Sequence, residues 1–305
     1  MDGLILVLKP PRMTSHDVVA SLRRILFQKK IGHFGTLDPL ASGLLLAAVG
    51  KATRFFPFFS KMDKTYEGRM RLGFATDTYD AEGQPTSPEI DHYPDERSLA
   101  ETIGQLEGDI TQFPPPYSAK KLRGKPLYIY ARRKTPVESR PFQVRVFAFK
   151  LKAYLPPYLD FEIRCSSGTY IRALADDLGR KLGCGAHLTE LVRTEVGEYH
   201  RNDGRTLEEI RNLHEKGMTD EFLVPLELLL PFYPKISLTG TGLQMVRNGR
   251  PLSGEHIAEG SRSTGHGSER DAGAVFRLFG PDGKMVALAR PAPPPAHLSP
   301  FLVLL

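Results

Sequence analysis

The sequence predicts an α+β domain over residues 1–232, followed by a small β-rich domain over residues 233–305. A length of 305 residues is about twice that of a typical domain, which favours two domains. In the first part, apolar residues at helical spacing alternate with short apolar runs and with segments in which every second residue is apolar. Prolines at positions 225, 231 and 234 then interrupt this pattern and indicate the boundary.

The chain begins with a predicted strand and a predicted helix. Leu4–Leu8 is a short apolar run typical of a buried strand. Thr14 or Ser15 is a suitable N-cap for the helix that follows. The apolar residues of this helix recur at helical spacing: Val18, Val19, Leu22, Ile25 and Leu26. A turn-rich loop over Gly32–Gly43 then leads into a second apolar run, Leu44–Val49.

The remaining elements follow from the same patterns. Further strands are predicted over residues 66–74, 144–151 and 159–165. Further helices are predicted over residues 99–106, 171–182 and 207–213. The C-terminal domain has three predicted strands: Ile236–Leu238, Val275–Leu278 and Val286–Leu288. The polar, Gly- and Ser-rich stretch Ser261–Gly273 predicts no regular element.

The positive charge of the chain is concentrated in two segments. The net charge is +6, which by itself is ordinary for an enzyme. Residues 9–30 hold six basic residues against one acid, and residues 120–134 hold seven basic residues and no acid. The rest of the chain is therefore net acidic. Such concentration is typical of a surface that binds a polyanion.

The composition points to a cytoplasmic protein. A hydrophobic share of 41% and a charged share of 25% are typical of a soluble globular chain. Two cysteines, Cys165 and Cys184, cannot build a disulfide framework and indicate a reducing compartment. The sequence has no apolar run of eighteen residues and begins without the basic start of a signal peptide, so neither a membrane span nor export is expected.

The loop Gly32–Gly43 is the first candidate for chemistry. Its glycines allow backbone conformations that other residues resist, so the loop can approach a ligand closely. Pro39 biases Asp38 toward an extended conformation from which the carboxylate can project. Composition alone favours the plainer interpretation of an Asp-Pro turn on the surface.

Two further segments carry candidate residues. Arg172 follows a predicted strand and lies in the first turn of a helix, where the helix dipole favours acids, so a partner carboxylate would compensate it. Taken alone, Arg172 favours the plainer interpretation of a solvated arginine. In Tyr117–Lys134 the seven cations interleave with three tyrosines, a combination typical of nucleic-acid contact. The alternative is a solvated charged face.

Two cofactor motifs fail. Gly50–Thr53 is similar to the end of a P-loop, but Ala52 occupies the Ser/Thr position. Cys184 and His187 lack the paired spacing of a zinc site, and Cys165 is the only other thiol. The sequence therefore predicts neither a metal nor a cofactor.

Together these segments resemble the TruB family of tRNA pseudouridine synthases. The resemblance extends over roughly residues 3–200 and depends on the order and spacing of seven motifs: Gly3–Pro10 with Met13–Ser15, His33–Pro39, Lys64–Tyr66, Arg71–Gly73, Tyr117–Lys120, Cys165–Arg172, and Gly183–His187 followed by Leu191 and Arg193. It implies a mixed sheet with helices around it, a basic RNA-contacting insertion at about residues 114–140, and a PUA-like RNA-binding domain at the C-terminus.

The resemblance also implies the reaction. Family members convert uridine to pseudouridine at position 55, in the T-loop of tRNA, without a cofactor. Asp38 corresponds to the family's catalytic carboxylate, which attacks or abstracts a proton, and Arg172 would pair with it and keep it ionised. Tyr66 corresponds to the tyrosine that stacks on the flipped uracil and helps to remove its C5 proton.

Other positions are assigned to substrate binding by the same resemblance. Tyr170 and Leu191 would line the pocket, and His33 would fill the space that the flipped base leaves. In the insertion, the residues expected to bind the T-arm are Lys120, Lys121 and Arg123. Phe34 stands where the family often has a smaller residue, and we expect it to alter packing against the RNA. The family implies a cytoplasmic monomer that binds tRNA and no membrane, and that also assists tRNA folding.

Two alternatives stay open. One is a guide-dependent synthase, or one that acts on another RNA. The other is a non-catalytic RNA-binding or RNA-folding module, which the basic segments alone would suit. The pairing of Asp38 with Arg172 favours an enzyme, because binding alone needs no buried carboxylate near phosphates.

Overall fold

The computed structural model describes most of the chain. The residues it leaves undescribed are 119, 123, 127–128, 131–139, 262–273 and 295. For four further residues of the insertion it describes the backbone and not the side chain: Lys121, Leu122, Lys125 and Pro126. The predicted RNA contact of Arg123 and nearly all of the polar stretch 261–273 therefore lie outside the described residues.

The described chain combines six α-helices with sixteen strands. The helices are α1 Ser15–Ile25, α2 Phe56–Phe59, α3 Glu96–Gly104, α4 Ile171–Leu182, α5 Leu207–Glu215 and α6 Gly240–Arg247. The strands up to the insertion are β1 Gly3–Lys9, β2 Ile31–His33, β3 Ser42–Val49, β4 Lys64–Leu72, β5 Gly108–Gln112, β6 Lys121–Leu122 and β7 Lys125–Pro126. The later strands are β8 Phe142–Leu155, β9 Tyr158–Cys165, β10 Ala186–Val196, β11 Tyr199–His200, β12 Leu223–Pro225, β13 Lys235–Ser237, β14 Phe276–Phe279, β15 Met285–Pro291 and β16 Leu298–Val303. The predicted α+β class is confirmed.

The chain divides into two compact units. One unit consists of Met1–Ile5, Ala48–Arg54 and Thr219–Leu305, and the other of Leu6–Ala47 and Phe55–Met218. The predicted domain boundary between residues 232 and 233 stays a prediction.

A large mixed sheet organises the unit that holds the candidate site. Its strands follow the order β1-β3-β10-β4-β9-β8-β5, with β2 added beside β3 and β11 beside β10. Strand β10 runs parallel to β3 and antiparallel to β4. In the other unit, a four-stranded sheet has the order β13-β14-β15-β16 around a small core of its own. The mixed sheet that the resemblance implied is confirmed.

No sequence pattern predicted strand β10, although it lies in the middle of the large sheet. Its pairing with β4 shifts register twice, between Leu188 and Glu190 and between Arg193 and Glu195. Each irregularity breaks the alternation by which a strand is recognised. In the other unit, α6 and β16 were also not predicted, since glycines interrupt one and Pro300 the other.

Two helix ends that matter for the site follow local rules. Thr14 is the N-cap of α1 and forms a capping box with Asp17, so Ser15 is the first helical residue. Helix α4 ends at Gly183, whose φ of 73° lies in the left-handed region that glycine adopts without strain. At its other end Tyr170 is the N-cap and forms no side-chain cap.

The expectation for Phe34 is wrong. Its side chain is 1% exposed and stacks on Phe59, with ring centroids 4.8 Å apart. Phe56 and Tyr199 extend this aromatic cluster. Phe34 therefore anchors the start of the Asp38 loop in the core and has no surface to offer an RNA.

Replacing Phe34 by alanine should lower the free energy of unfolding by about 3–5 kcal/mol, because a large buried ring is lost from a packed cluster. Denaturant unfolding monitored by circular dichroism measures this change. Phe27→Ala is the matched control, because that ring is 90% exposed and its removal should cost under about 0.5 kcal/mol. Equal losses for the two variants would contradict the packing role.

Candidate active site

The centre of the candidate site is an ion pair between Asp38 and Arg172. Arg172 Nε donates to Asp38 Oδ2 at 2.8 Å. The arginine side chain is 5% exposed, whereas the aspartate side chain is 35% exposed. Arg172 projects from the first turn of α4, and Asp38 from the loop between β2 and β3. The guanidinium is thus fixed inside the protein while the carboxylate stays accessible to a ligand.

A second carboxylate, which sequence reasoning missed, binds the same guanidinium. Asp80 Oδ2 lies 3.3 Å from Arg172 Nη1, and its side chain is 5% exposed. The Asp80 carboxylate also accepts from the Thr78 hydroxyl and from the Glu82 backbone N–H. The only indication of this carboxylate in the sequence was indirect. A buried arginine at a helix N-terminus needs negative charge to compensate its own, and here two carboxylates supply it.

Backbone carbonyls complete the shell around Arg172. Its Nη1 donates to the Thr78 carbonyl at 3.1 Å, and its Nη2 to the Tyr117 carbonyl at 3.0 Å. Between Thr78 and Asp80, Tyr79 has a φ of 63°, a left-handed conformation that costs a non-glycine residue free energy. With Tyr79 in this conformation, the Thr78 carbonyl and the Asp80 carboxylate both contact the Arg172 guanidinium. These contacts hold the guanidinium in a single orientation.

The loop that carries Asp38 is tied to the protein on two sides. Ser15 Oγ accepts from the Leu37 N–H at 2.8 Å. The Arg12 N–H donates to the Pro39 carbonyl at 2.8 Å. Lys9, which is buried, donates its ammonium to the Met13 carbonyl beside the same loop. Asp38 therefore projects from a segment whose backbone is immobilised immediately before and after it.

Arg193 supports the loop that carries Asp38 through hydrogen bonds to backbone carbonyls. It is buried, and its guanidinium donates to the carbonyls of Leu44 at 2.8 Å, Gly35 at 3.1 Å and Thr36 at 3.4 Å. Gly43 lies against the Arg193 backbone, where a Cβ would come within 2.3 Å of a carbonyl oxygen. Glycine is required there both for this contact and for its φ of 100°. The resemblance included Arg193 without a role, and in the structure it supports the loop that carries Asp38.

Tyr66 lies buried on β4 in the same region. Its partner in the register of β4 and β10 is Arg193, and burial raises the pKa of its phenol. The phenol is therefore neutral at physiological pH. It can stack or donate a hydrogen bond, and it does not start as a phenolate base.

Lys64 and Cys165 are buried near Tyr66. Burial lowers the pKa of Lys64 to about 8, and the Lys64 ammonium donates to the Ser60 carbonyl at 3.1 Å. Burial raises the pKa of Cys165 to about 12, so its thiol stays protonated and is no nucleophile.

The lowered pKa of Lys64 predicts a pH-dependent stability. Between about pH 8 and pH 10.5 the folded protein has released this proton while the unfolded chain still holds it. The unfolded state binds more protons there, so this lysine makes the free energy of unfolding rise with pH. The difference in unfolding free energy between wild type and Lys64→Met, measured with urea from pH 7 to pH 10, should increase above pH 8. A difference that falls over this range would contradict the assignment.

Tyr170 is positioned by a buried glutamine. The Tyr170 N–H donates to Gln112 Oε1 at 3.0 Å, and Gln112 Nε2 donates to the Tyr170 carbonyl at 3.2 Å. The ring meets Phe142 edge to face, with centroids 6.0 Å apart. Leu191 lies buried on β10, two residues from Arg193. Gln112, like Asp80, has no sequence signal of its own, because its partner is 58 residues away.

The structure describes the remaining predicted binding residues in different detail. The Lys120 ammonium lies 3.5 Å from the centre of the Phe142 ring. Lys121 begins the β6–β7 hairpin, and its side chain is outside the described residues, as is all of Arg123. His33 is half-buried, burial lowers its pKa, and its Nδ1 has no hydrogen-bond partner within the described part of the chain. RNA contacts of these four residues stay predictions.

The structure shows neither a metal cluster nor a membrane-spanning helix in the part it describes. No group of three or more His, Cys, Asp or Glu side chains among the described residues is placed to hold a metal ion. None of the described helices is both long and apolar enough to cross a membrane.

Comparison with solved structures establishes the class of fold. The chain aligns over 99% of its length with a chain of an H/ACA RNP bound to a substrate RNA containing 2′-deoxyuridine, with a TM-score of 0.73, 24% identity and 85% of that chain covered. It aligns equally far with a chain of a Cbf5-Nop10-Gar1 complex, with a TM-score of 0.71, 26% identity and 85% coverage of that chain. The chain therefore shares the fold of these two solved structures.

Comparison of sequences establishes the family. The model of the TruB family pseudouridylate synthase N-terminal domain matches residues 23–171, and that of the tRNA pseudouridylate synthase B C-terminal domain matches residues 172–231. Relatives named tRNA pseudouridine synthase B include one from Geobacter sulfurreducens, 39% identical over 95% of this chain and 93% of its own. Another, from Solibacter usitatus, is 41% identical over 82% of this chain and 85% of its own. The chain belongs to the TruB family of pseudouridylate synthases.

Proposed function

We propose that this protein isomerises uridine to pseudouridine at position 55, in the T-loop of tRNA, with Asp38 as the catalytic carboxylate. The observation that carries the proposal is the accessible Asp38 carboxylate on a buried Arg172, within a chain whose relatives are named tRNA pseudouridine synthase B. Residues 233–305 are proposed to be a PUA-like RNA-binding domain.

The reaction suits the side chains that surround Asp38. The uracil is detached from the ribose at N1 and rejoined at C5, so the C1′–N1 bond breaks and a C1′–C5 bond forms. The C5 proton leaves and N1 gains a proton, which keeps the composition unchanged. No electrons are gained or lost overall. One carboxylate that attacks or takes a proton is sufficient, provided that the uridine is turned out of its stack to reach it.

Asp38 has the geometry for either role. Among the described residues its Oδ2 accepts from Arg172, and no hydrogen bond occupies its Oδ1. Oδ2 therefore fixes the orientation of the carboxylate, and Oδ1 is available to the substrate.

Tyr66, Tyr170 and Leu191 are proposed to form the walls of the uridine pocket. Tyr66 and Leu191 are buried on adjacent strands, and Tyr170 immediately precedes the helix that carries Arg172. Apolar walls would exclude water from the sugar while it is detached from the base. The neutral Tyr66 phenol is suited to stacking on the uracil.

The RNA partner is proposed to be the T-arm of tRNA, bound by the two basic segments, with His33 entering the loop. Lys120, Lys121 and Arg123 would bind phosphates. The protein is proposed to act as a monomer in the cytoplasm, where its two buried, free cysteines stay reduced. Opening the T-loop to flip the base would also assist tRNA folding.

A bare T-arm hairpin separates this proposal from a guide-dependent synthase. The hairpin carries tritium at uridine C5, and the purified protein is added without another protein or RNA. We expect tritium release at a rate within about tenfold of that on full-length tRNA transcript. Release on neither RNA would overturn the proposal, and release only with an added guide RNA would favour the guide-dependent alternative.

A further inference from the structure

Phe27 is an aromatic residue that the fold leaves in solvent. It is 90% exposed, the largest exposed fraction of any large hydrophobic residue that the structure describes. It follows helix α1 directly, after the C-cap residue Leu26. The ring therefore contributes almost nothing to packing within the chain.

The backbone at Phe27 adds a cost to this exposure. The residue has a φ of 51°, in the left-handed region, and the Gln28 N–H donates to the Arg23 carbonyl at 3.2 Å. This hydrogen bond ends a helix at a left-handed residue, a position that glycine occupies without strain and phenylalanine only at a cost in free energy. Phe27 has neither a packing role nor a conformational advantage here, so we consider a role toward a ligand.

The chain around Phe27 is positively charged. No acid occurs between Asp17 and Asp38. Four exposed cations lie within four residues of the ring: Arg23, Arg24, Lys29 and Lys30. In the described part of the chain, the two arginines donate to uncharged oxygens, and no carboxylate pairs with either lysine. The exposed ring is therefore surrounded by positive charge that the protein itself does not neutralise.

Helix α1 connects Phe27 with the loop that carries Asp38. At the start of the helix, Ser15 Oγ accepts from the Leu37 N–H of that loop at 2.8 Å. Phe27 comes twelve residues later, which corresponds to about 18 Å at the helical rise. The ring is thus too far away to touch a uridine bound at Asp38. An RNA that places a uridine there covers this distance with about five stacked nucleotides.

We infer that Phe27 stacks on an unpaired base of the bound RNA, outside the reactive uridine, while Lys29 and Lys30 bind the adjoining phosphates. The inference rests on the proposed function, which supplies the RNA partner. An aromatic face stacks on any base, and cations beside it bind the backbone. A second copy of this chain would bring the same cations to the contact, and like charges repel each other. The charge therefore favours RNA over self-association.

The test compares Phe27→Leu with wild type in fluorescence anisotropy with full-length tRNA and with the T-arm hairpin. Leucine keeps an apolar side chain and removes the aromatic face, so we expect Kd to rise about tenfold. Phe27→Tyr keeps the ring and should stay within about twofold of wild type. Phe147→Leu is the matched control and should leave Kd unaltered, because that ring is exposed between two arginines that are each paired with a carboxylate. Thermal unfolding establishes that each variant is folded.

Salt dependence and single-turnover kinetics separate stacking from other contributions. Phe27→Leu should keep the wild-type slope of log Kd against log salt concentration, because stacking releases no counterions. Lys29→Gln combined with Lys30→Gln should flatten that slope. With enzyme in saturating excess over tRNA, Phe27→Leu should release tritium from uridine C5 at the wild-type rate, since the ring lies outside the uridine pocket.

The outcomes distinguish this inference from the proposed function. A loss of affinity by Phe27→Leu on either RNA, restored by Phe27→Tyr, supports the stacking contact. Wild-type affinity of Phe27→Leu for both RNAs, or an equal loss by the two variants, would overturn the inference and leave the proposed function intact. A changed sedimentation coefficient of Phe27→Leu with unaltered Kd would assign the ring to self-association instead. A wild-type protein that binds RNA through Phe27 and releases no tritium would overturn the proposed function alone.

Discussion

Replacing Asp38 by asparagine is expected to lower kcat/KM for uridine isomerisation at least about 10³-fold. The amide has nearly the volume of the carboxylate, and its oxygen can still accept from Arg172 Nε. It can neither take a proton nor attack as an anion, and a positioned carboxylate contributes a factor of this order or more. Because nothing else in the site changes, tRNA affinity should stay within about threefold of wild type.

Asp109→Asn is the matched control for this variant. Asp109 is largely exposed and pairs with Arg145 at the surface, so the same chemical change there should leave the rate of tritium release unaltered. Fluorescence anisotropy with labelled T-arm RNA measures affinity separately from turnover. Retention of wild-type turnover by Asp38→Asn would remove Asp38 from the mechanism.

Replacing Arg172 by methionine is expected to reduce both stability and activity. The change leaves the buried Asp80 carboxylate without its guanidinium, and breaking a buried charge pair in this way costs about 3–5 kcal/mol of unfolding free energy. It also frees Asp38 to rotate away from its productive orientation, so kcat/KM should fall at least about 10²-fold. Denaturant unfolding and tritium release measure the two effects.

Two further variants separate the stabilising role of Arg172 from its positioning role. Arg172→Met combined with Asp80→Asn removes the orphaned charge, so stability should recover substantially while activity stays low. Arg172→Lys keeps one positive charge but cannot bind Asp38, Asp80 and two carbonyls at once, so it should fold and turn over slowly. Wild-type turnover by Arg172→Lys would show that one positive charge at this position is sufficient for activity. It would also show that holding Asp38 in a fixed orientation is not required.

Local sequence patterns predicted those parts of the fold that local forces determine. Helix α1, with its capping box, and helix α4, with its glycine stop, were anticipated because their ends depend on residues three or four positions apart. Strand β10 was missed because its register shifts depend on the neighbouring strand and leave no period in the sequence. Phe34 was misjudged because its partner Phe59 comes from a later segment.

The same distinction applies to the candidate site. Asp38 stood out because glycines and Pro39 shape its loop, and the resemblance supplied its role. Asp80 and Gln112 carry no local signature, since each matters through a contact with Arg172 or Tyr170 that only the folded chain forms.

The central claim is that this chain converts one uridine, in the T-loop of tRNA, by means of Asp38. The most direct measurement uses a tRNA ligated so that only the uridine at position 55 carries tritium at C5, with enzyme in excess. Wild type should release one equivalent of tritium per tRNA, and Asp38→Asn none over the same time. Tight binding of this tRNA by wild type without release of tritium would contradict the claim.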